Sequence, residues 1–324
     1  MKSFEFADVQ SGLQPRSRPH PRPEQGQVVI EVKAAGLCHS DCLILGDDQY
    51  RLVAKRPIVL GHEVAGTIVE LGPDVSDYTI GERVVAGIPA HPVSGQGFFK
   101  AIGIGYDGGY AEQAMVWVDN LVRIPSEVSF PQAAVATDSL ATAYHAVVTE
   151  GRIGADSTVA VVGLGGLGTA AIQIAAIQGA RVYGVDIDES KFSLARQLGA
   201  VECANGVDQF VGVAFDVVLD FAGVGITTAA AVNAVKPCGR VVAIGMTVKE
   251  MKLNTHILIS RNITLQGSIG ASLDELREVL RLIACGRLSP ILEEIPFCDV
   301  PKGLERLDKG NVTGRLFTNP SLSR

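Results

Sequence analysis

Three short stretches of the sequence carry residue types that could do chemistry. GLCHSD offers Cys38, GHEVAG offers His62 and Glu63, and GLGGLG offers the glycine run Gly163 to Gly168. Thiolate and imidazole are ligands suited to zinc, and a catalytic zinc site needs three protein ligands and an open fourth position. Taken singly, neither residue decides the matter. A lone cysteine commonly serves as a small hydrophobe, and a lone histidine as a satisfied core side chain. The glycine run is a different kind of signal. Gly163, Gly165 and Gly168 have the GxGxxG spacing, with Gly166 and Leu167 between the last two, but 36 glycines in 324 residues would also produce it by chance. Context supplies what spacing cannot: TVAVV reads as a strand before it, TAAIQIAAI as a helix after it, and Asp186 closes the next strand, RVYGVD. There the first glycine allows a tight turn and the second lets the backbone approach a pyrophosphate. The third permits close helix–strand packing, and the helix N-terminus favours the anion. A carboxylate at Asp186 would bind the adenosine ribose hydroxyls and repel a 2′-phosphate, which favours NAD over NADP.

These residues need elements to hold them. Val28 to Ala34 (VVIEVKA) alternates and is β-rich, as are Thr67 to Leu71 and Arg83 to Val85, with Gly61, Gly66, Gly72-Pro73 and Gly81 among them. Short strands punctuated this way predict an irregular, barrel-like β domain. Pro131 to Glu150 is Ala-rich with few breakers and predicts one helix. From Ser157, near-continuous apolar strands alternate with helices (TVAVVGLG, RVYGVD, FDVVLDFAG, GRVVAIG, ITLQGSI), the pattern of a parallel sheet covered on both faces. Leu273 to Cys285 predicts a helix stopped by Gly286, and Leu288 to Thr318 reads as a return to the first domain. The expected class is α/β, with a doubly wound, parallel-sheet (Rossmann) cofactor domain at 139–272. A β-rich catalytic domain fills 1–138, and 273–324 rejoin it.

AAGLCHSD, GHEVAGTIVELG, GERV, DGGYAEQ, TAYHAV, VVGLGGLG and VDIDESK occur in that order over nearly the whole chain. Together they resemble the zinc alcohol dehydrogenases of the medium-chain dehydrogenase/reductase superfamily, whose catalytic domain is GroES-like. The resemblance implies that Cys38, His62 and Asp138 hold a catalytic zinc, Asp138 standing where many members have cysteine and some secondary-alcohol dehydrogenases have aspartate. It implies that Glu63 is an alternating ligand or sits behind the ligands, and that Asp41 orients the ligating histidine. Ser40 becomes the first proton acceptor, and His39 and Arg315 contacts to the pyrophosphate of NAD. Ile187 and Lys191 flank Asp186 in the cofactor segment. Ile88, Tyr110, Met246 and Ile269 would line an apolar substrate pocket. Zinc would polarise the substrate oxygen while hydride passes between substrate carbon and nicotinamide.

The sequence departs from that family pattern in places. Between Val85 and Asp107 there is no cysteine and too little chain for the usual four-cysteine structural lobe, which predicts one zinc per subunit. The relay histidine is replaced by Leu43, so the proton must leave through water or His39. Cys42 could be imagined as a ligand, but Asp138 fits the family site better; the other four cysteines read as ordinary thiols.

The pocket residues carry no Arg or Lys for a carboxylate or phosphate, so a small apolar alcohol, aldehyde or ketone is expected. Competing readings are a zinc-free quinone or enoyl reductase of the same superfamily, opposed by Cys38, His62 and Asp186, and a non-catalytic nucleotide-binding protein. The net charge of -7 gives no reason to expect nucleic acid or anionic membrane as a partner. There is no signal-peptide pattern or membrane-length apolar run, and six cysteines without a CxxC pair make no disulfide framework, which predicts a cytoplasmic enzyme. A homodimer or homotetramer is expected, with ITLQGSI as the candidate pairing edge.

Overall fold

The computed structural model describes residues 1–47, 52–93 and 100–322. The chain forms two compact units, Met1–Ala141 with Gly270–Arg324, and Thr142–Ile269. In chain order the first unit contributes β1 (Lys2–Phe6), β2 (Leu13–Ser17), β3 (Gln27–Gly36), β4 (Ile58–Val59), β5 (Glu63–Leu71), β6 (Arg83–Ala86), β7 (Gln113–Trp117) and β8 (Leu121–Arg123). The second contributes β9 (Thr158–Val162), β10 (Arg181–Val185), β11 (Ala200–Ala204), β12 (Phe215–Asp220), β13 (Val235–Ala243) and β14 (Thr264–Gly267), and the returning chain adds β15 (Leu292–Ile295) and β16 (Arg315–Thr318).

In the first unit, β1 lies between β2 and β4, and a larger sheet runs β15-β16-β3-β5-β6-β8 with β7 also on β3. Val28, Ile30 and Val32 of β3 are fully buried, while Glu31 and Lys33 point outward and pair at 2.8 Å. That alternation fixes the register, because a slip of one residue would put two charges in the core. Burying each of these β-branched side chains contributes about 1.5–3 kcal/mol. The strand expected at Thr67–Leu71 begins earlier, at Glu63, whose backbone is opposite Gly36. The end of β3 and the start of β5 are thereby neighbours, which brings Cys38 and His62 together.

The second unit is a six-stranded parallel sheet in the order β11-β10-β9-β12-β13-β14. The order reverses beside the central strand β9, the switch point at which doubly wound sheets bind nucleotides. Strand β11 was not anticipated: AVECA is short, with Val201 and Glu202 exposed on an edge. The helix expected at 131–150 is not uniform. It runs as α-helix over Phe130–Val135, π-helix over Ala136–Leu140, α-helix over Ala141–Tyr144 and π-helix over His145–Glu150. The helix Leu273–Ala284 ends at Cys285 with Gly286 at φ 72°, as the glycine stop predicts.

Candidate active site

Cys38 follows the end of β3 and caps the helix His39–Gly46, His62 immediately precedes β5, and Asp138 lies in the π-helical turn Ala136–Leu140. Their ligand atoms all fall within 4.8 Å of one another. Cys38 Sγ is 3.1 Å from Asp138 Oδ2, and His62 Nε2 is 3.3 Å from the same oxygen. The other ring nitrogen, His62 Nδ1, is 3.4 Å from Asp41 Oδ1. Asp41 Oδ2 accepts the Cys38 backbone N–H at 3.3 Å and the Tyr110 O–H at 2.7 Å. Ser40 is half-buried, its Oγ 3.7 Å from Cys38 Sγ, and His39 is exposed on the same helix. Behind the cluster, the buried Arg315 guanidinium donates through Nη2 to Glu63 Oε1.

The electrostatics of this buried group call for added positive charge. Burial and the nearby Asp138 carboxylate push the Cys38 thiol up. Burial pushes the Asp138 carboxyl up, but the hydrogen bond and charge of His62, with Arg315 and Cys38, together outweigh it and hold that carboxyl well below the usual carboxylate range. Although its own burial disfavours charge, His62 is raised well above an ordinary histidine by Asp41 and Asp138. Burial pushes the Glu63 carboxyl up, and the Arg315 guanidinium beside it, which stays protonated, pulls it back toward the charged form. A divalent cation at the convergence of Sγ, Nε2 and Oδ2 would favour the thiolate and the neutral imidazole together. One thiolate, one imidazole and one carboxylate make a donor set that zinc accepts, so the residues present fit the metal.

Tyr110 is a correction. It was expected on the wall of a substrate pocket, but it is fully buried with its hydroxyl on Asp41. Its backbone N–H donates to Leu60 at 3.0 Å, which turns the ring inward, and a buried phenol must find a polar partner. Ile88 is buried with Ala101 and Ile104 in the first unit, whereas Met246 and Ile269 are partly exposed in the second. Arg315, which the resemblance places against the pyrophosphate of NAD, is buried here with its guanidinium on Glu63. Part of the short loop where the family has its structural lobe, residues 94–99, lies outside the described residues.

In the second unit, β9 runs into Gly163, at φ +91°, and Gly165 caps the helix Gly166–Ile177. A Cβ on Gly168 would come within 1.8 Å of the Gly163 carbonyl oxygen, whereas one on Gly165 would meet nothing within 4 Å. Gly168 is therefore bare for packing, and Gly165 leaves open space at a helix N-terminus, which suits a pyrophosphate. Gly166 and Leu167 are half-buried in the first turn. Asp186 Oδ2 accepts the Leu164 N–H at 2.8 Å, and Lys191 Nζ lies 3.1 Å from the same oxygen. Ile187 is exposed next to it. Sequence reasoning missed Asp220, fully buried at the end of β12, which accepts from Ala222 N–H, Gly223 N–H and the hydroxyls of Thr227 and Thr228 at 2.6–3.1 Å. It fixes the loop that faces Gly163; an acid inside FDVVLD, followed by two threonines, was the available signal.

Comparison with known proteins gives consistent matches. Residues 24–126 match the alcohol dehydrogenase GroES-like domain, and residues 166–285 match the zinc-binding dehydrogenase domain. The chain is 30% identical to an alcohol dehydrogenase of Geobacillus stearothermophilus over 98% of each chain. It is 27% identical to an NAD-dependent alcohol dehydrogenase of Sulfurisphaera tokodaii, over 99% of this chain and 100% of the other. Among solved structures, acetophenone reductase from Geotrichum candidum in complex with NAD superposes with a TM-score of 0.90 at 31% identity, covering 100% of this chain and 98% of that one.

Proposed function

This chain belongs to the zinc-type alcohol dehydrogenase family of the medium-chain superfamily, and on that premise we propose that Cys38, His62 and Asp138 hold its catalytic zinc. It is an NAD-dependent oxidoreductase that interconverts alcohols with aldehydes or ketones. The observation that carries the site assignment is the convergence of three chemically suited ligand atoms within 4.8 Å. Zinc supplies a Lewis acid that favours ionisation of an alcohol hydroxyl and polarises a carbonyl, and NAD supplies the hydride acceptor.

The chain's own groups do the rest. Asp41 engages His62 Nδ1 and so leaves Nε2 as the ligating atom. Ser40, whose hydroxyl can both donate and accept, takes the proton of the substrate hydroxyl on oxidation and returns it on reduction. With Leu43 in place of a relay histidine, that proton continues through water or through the exposed His39. In the second unit Asp186 holds the adenosine ribose, and the open Gly165 turn holds the pyrophosphate.

A small apolar substrate fits a chain whose expected pocket residues bring no cation. Asp138 at the third ligand position, together with the similarity to a protein called acetophenone reductase, favours secondary alcohols and ketones. Six cysteines with no CxxC pair make no disulfide framework, which supports a reducing, cytoplasmic setting. No helix among the described residues is long and apolar enough to cross a membrane. One zinc per subunit follows from the missing cysteines of the structural lobe.

The test is elemental zinc on protein purified without added metal, followed by NAD reduction with a panel of primary and secondary alcohols. About one zinc per chain, with turnover abolished by a chelator and restored by zinc, is the expected result. Turnover that persists unchanged without metal would transfer the chain to the zinc-free reductases.

A further inference from the structure

A fully buried phenol needs an acceptor for its O–H, and the acceptor found by Tyr110 stands directly behind the metal ligands. Its hydroxyl oxygen lies 2.7 Å from Asp41 Oδ2 and 3.3 Å from the Gly36 carbonyl oxygen. Having one proton, it donates to the nearer and charged acceptor. The opposite oxygen of that carboxylate is the one 3.4 Å from His62 Nδ1. Both of these buried atoms lack another hydrogen-bond partner among the described residues, and an N–H on Nδ1 beside Asp41 would leave the lone pair on Nε2, the atom that faces Asp138. The path from phenol to ligand is therefore two contacts long and wholly buried.

The backbone holds the phenol in that place. Tyr110 N–H donates to Leu60 at 3.0 Å, and Gly109 N–H donates to the Gly61 carbonyl at 2.8 Å, so the tyrosine is tied to the residues just before His62. Gly61 adopts φ +91°, and a Cβ there would come within 2.7 Å of the Tyr110 ring. The ring thus occupies the space that the bare Gly61 leaves beside the ligand. Without the phenol, Asp41 Oδ2 would keep the Cys38 N–H, a single longer bond along the helix end, and the carboxylate would be freer to turn away from His62.

We infer that Tyr110 is a positioning residue of the metal centre, its hydroxyl fixing the Asp41 carboxylate that in turn orients His62. The inference rests on the assignment of Cys38, His62 and Asp138 as zinc ligands and extends the site to a residue behind them.

The test compares zinc release to a chromophoric chelator from the zinc-loaded parent, Tyr110→Phe, Asp41→Ala and the double variant. Removing an outer partner of a ligating histidine costs on the order of 10- to 100-fold in metal affinity. Tyr110→Phe, which keeps the ring and removes only the hydroxyl, is expected to release zinc about 10-fold faster than the parent. Asp41→Ala should release it faster still, and the double variant no faster than Asp41→Ala alone. A Tyr110→Phe chain that holds zinc as the parent does overturns the inference. So does a Tyr110→Phe effect that persists undiminished on top of Asp41→Ala, since the phenol would then act through packing alone. A parent chain that takes up no zinc overturns the ligand assignment itself, a result distinct from either.

Discussion

A buried carboxylate needs its charge answered, and Glu63 meets that need across a long span of sequence in Arg315. Both side chains are almost completely buried, so each is the other's condition for being charged in the interior. Arg315→Met leaves Glu63 next to Asp138 and Asp41 without its cation, and should destabilise the fold by about 3–5 kcal/mol in denaturant unfolding. Adding Glu63→Gln in the same chain should recover most of the loss. A loss under about 1 kcal/mol for Arg315→Met alone would show that the pair contributes little. At this scale the ligand types were legible, because thiol, imidazole and carboxylate chemistry belongs to the residue itself. The pairings were not. Nothing local in GRLF says that its arginine faces inward, and the family resemblance puts Tyr110 on a pocket wall, whereas its hydroxyl is satisfied on Asp41.

Elements place those residues. The turn after β9 carries two glycines with different duties, and the difference is measurable. Gly165→Ala adds a methyl group to open space at an ordinary backbone angle, so stability should stay within about 0.5 kcal/mol of the parent. Its NADH binding, read by fluorescence titration, should weaken 10-fold or more, because the methyl group occupies the approach of the pyrophosphate. Gly168→Ala drives a Cβ into the Gly163 carbonyl and should unfold at markedly lower temperature whether or not NADH is present. Equal effects of the two substitutions on stability would count against this division of roles. The strand–turn–helix around these glycines was legible because hydrophobic runs and glycine spacing are local properties. The π-helical turn under Asp138 was not. Ala-rich sequence favours helix without choosing its hydrogen-bond pattern. Here Thr137 and Ser139 donate their hydroxyls back to the Ala134 and Val135 carbonyls, each at 2.8 Å, within the loosened turn.

For the whole molecule, the exposed edge of the parallel sheet is the feature that bears on assembly. Among the described residues strand β14 pairs only with β13, and an unpaired edge is a template for another strand. The expected result of sedimentation velocity is a dimer or tetramer, and a proline in the middle of that edge strand, Gln266→Pro, should shift it toward monomer. A parent that sediments as a monomer at micromolar concentration would remove β14 from consideration. What the sequence determined by itself is the class of fold, the residue types that could hold a metal and the nucleotide fingerprint. Each depends on residue type, short spacing or the period of a hydrophobic pattern, all properties of neighbours along the chain. What only the tertiary structure decided is which distant groups meet. Arg315 reaches Glu63, and Tyr110 reaches Asp41, because sheet register and the return of the C-terminal strand bring them within hydrogen-bonding distance. Such contacts are selected by the burial of the whole core and the need to satisfy every polar group inside it, and no local stretch of sequence carries that requirement.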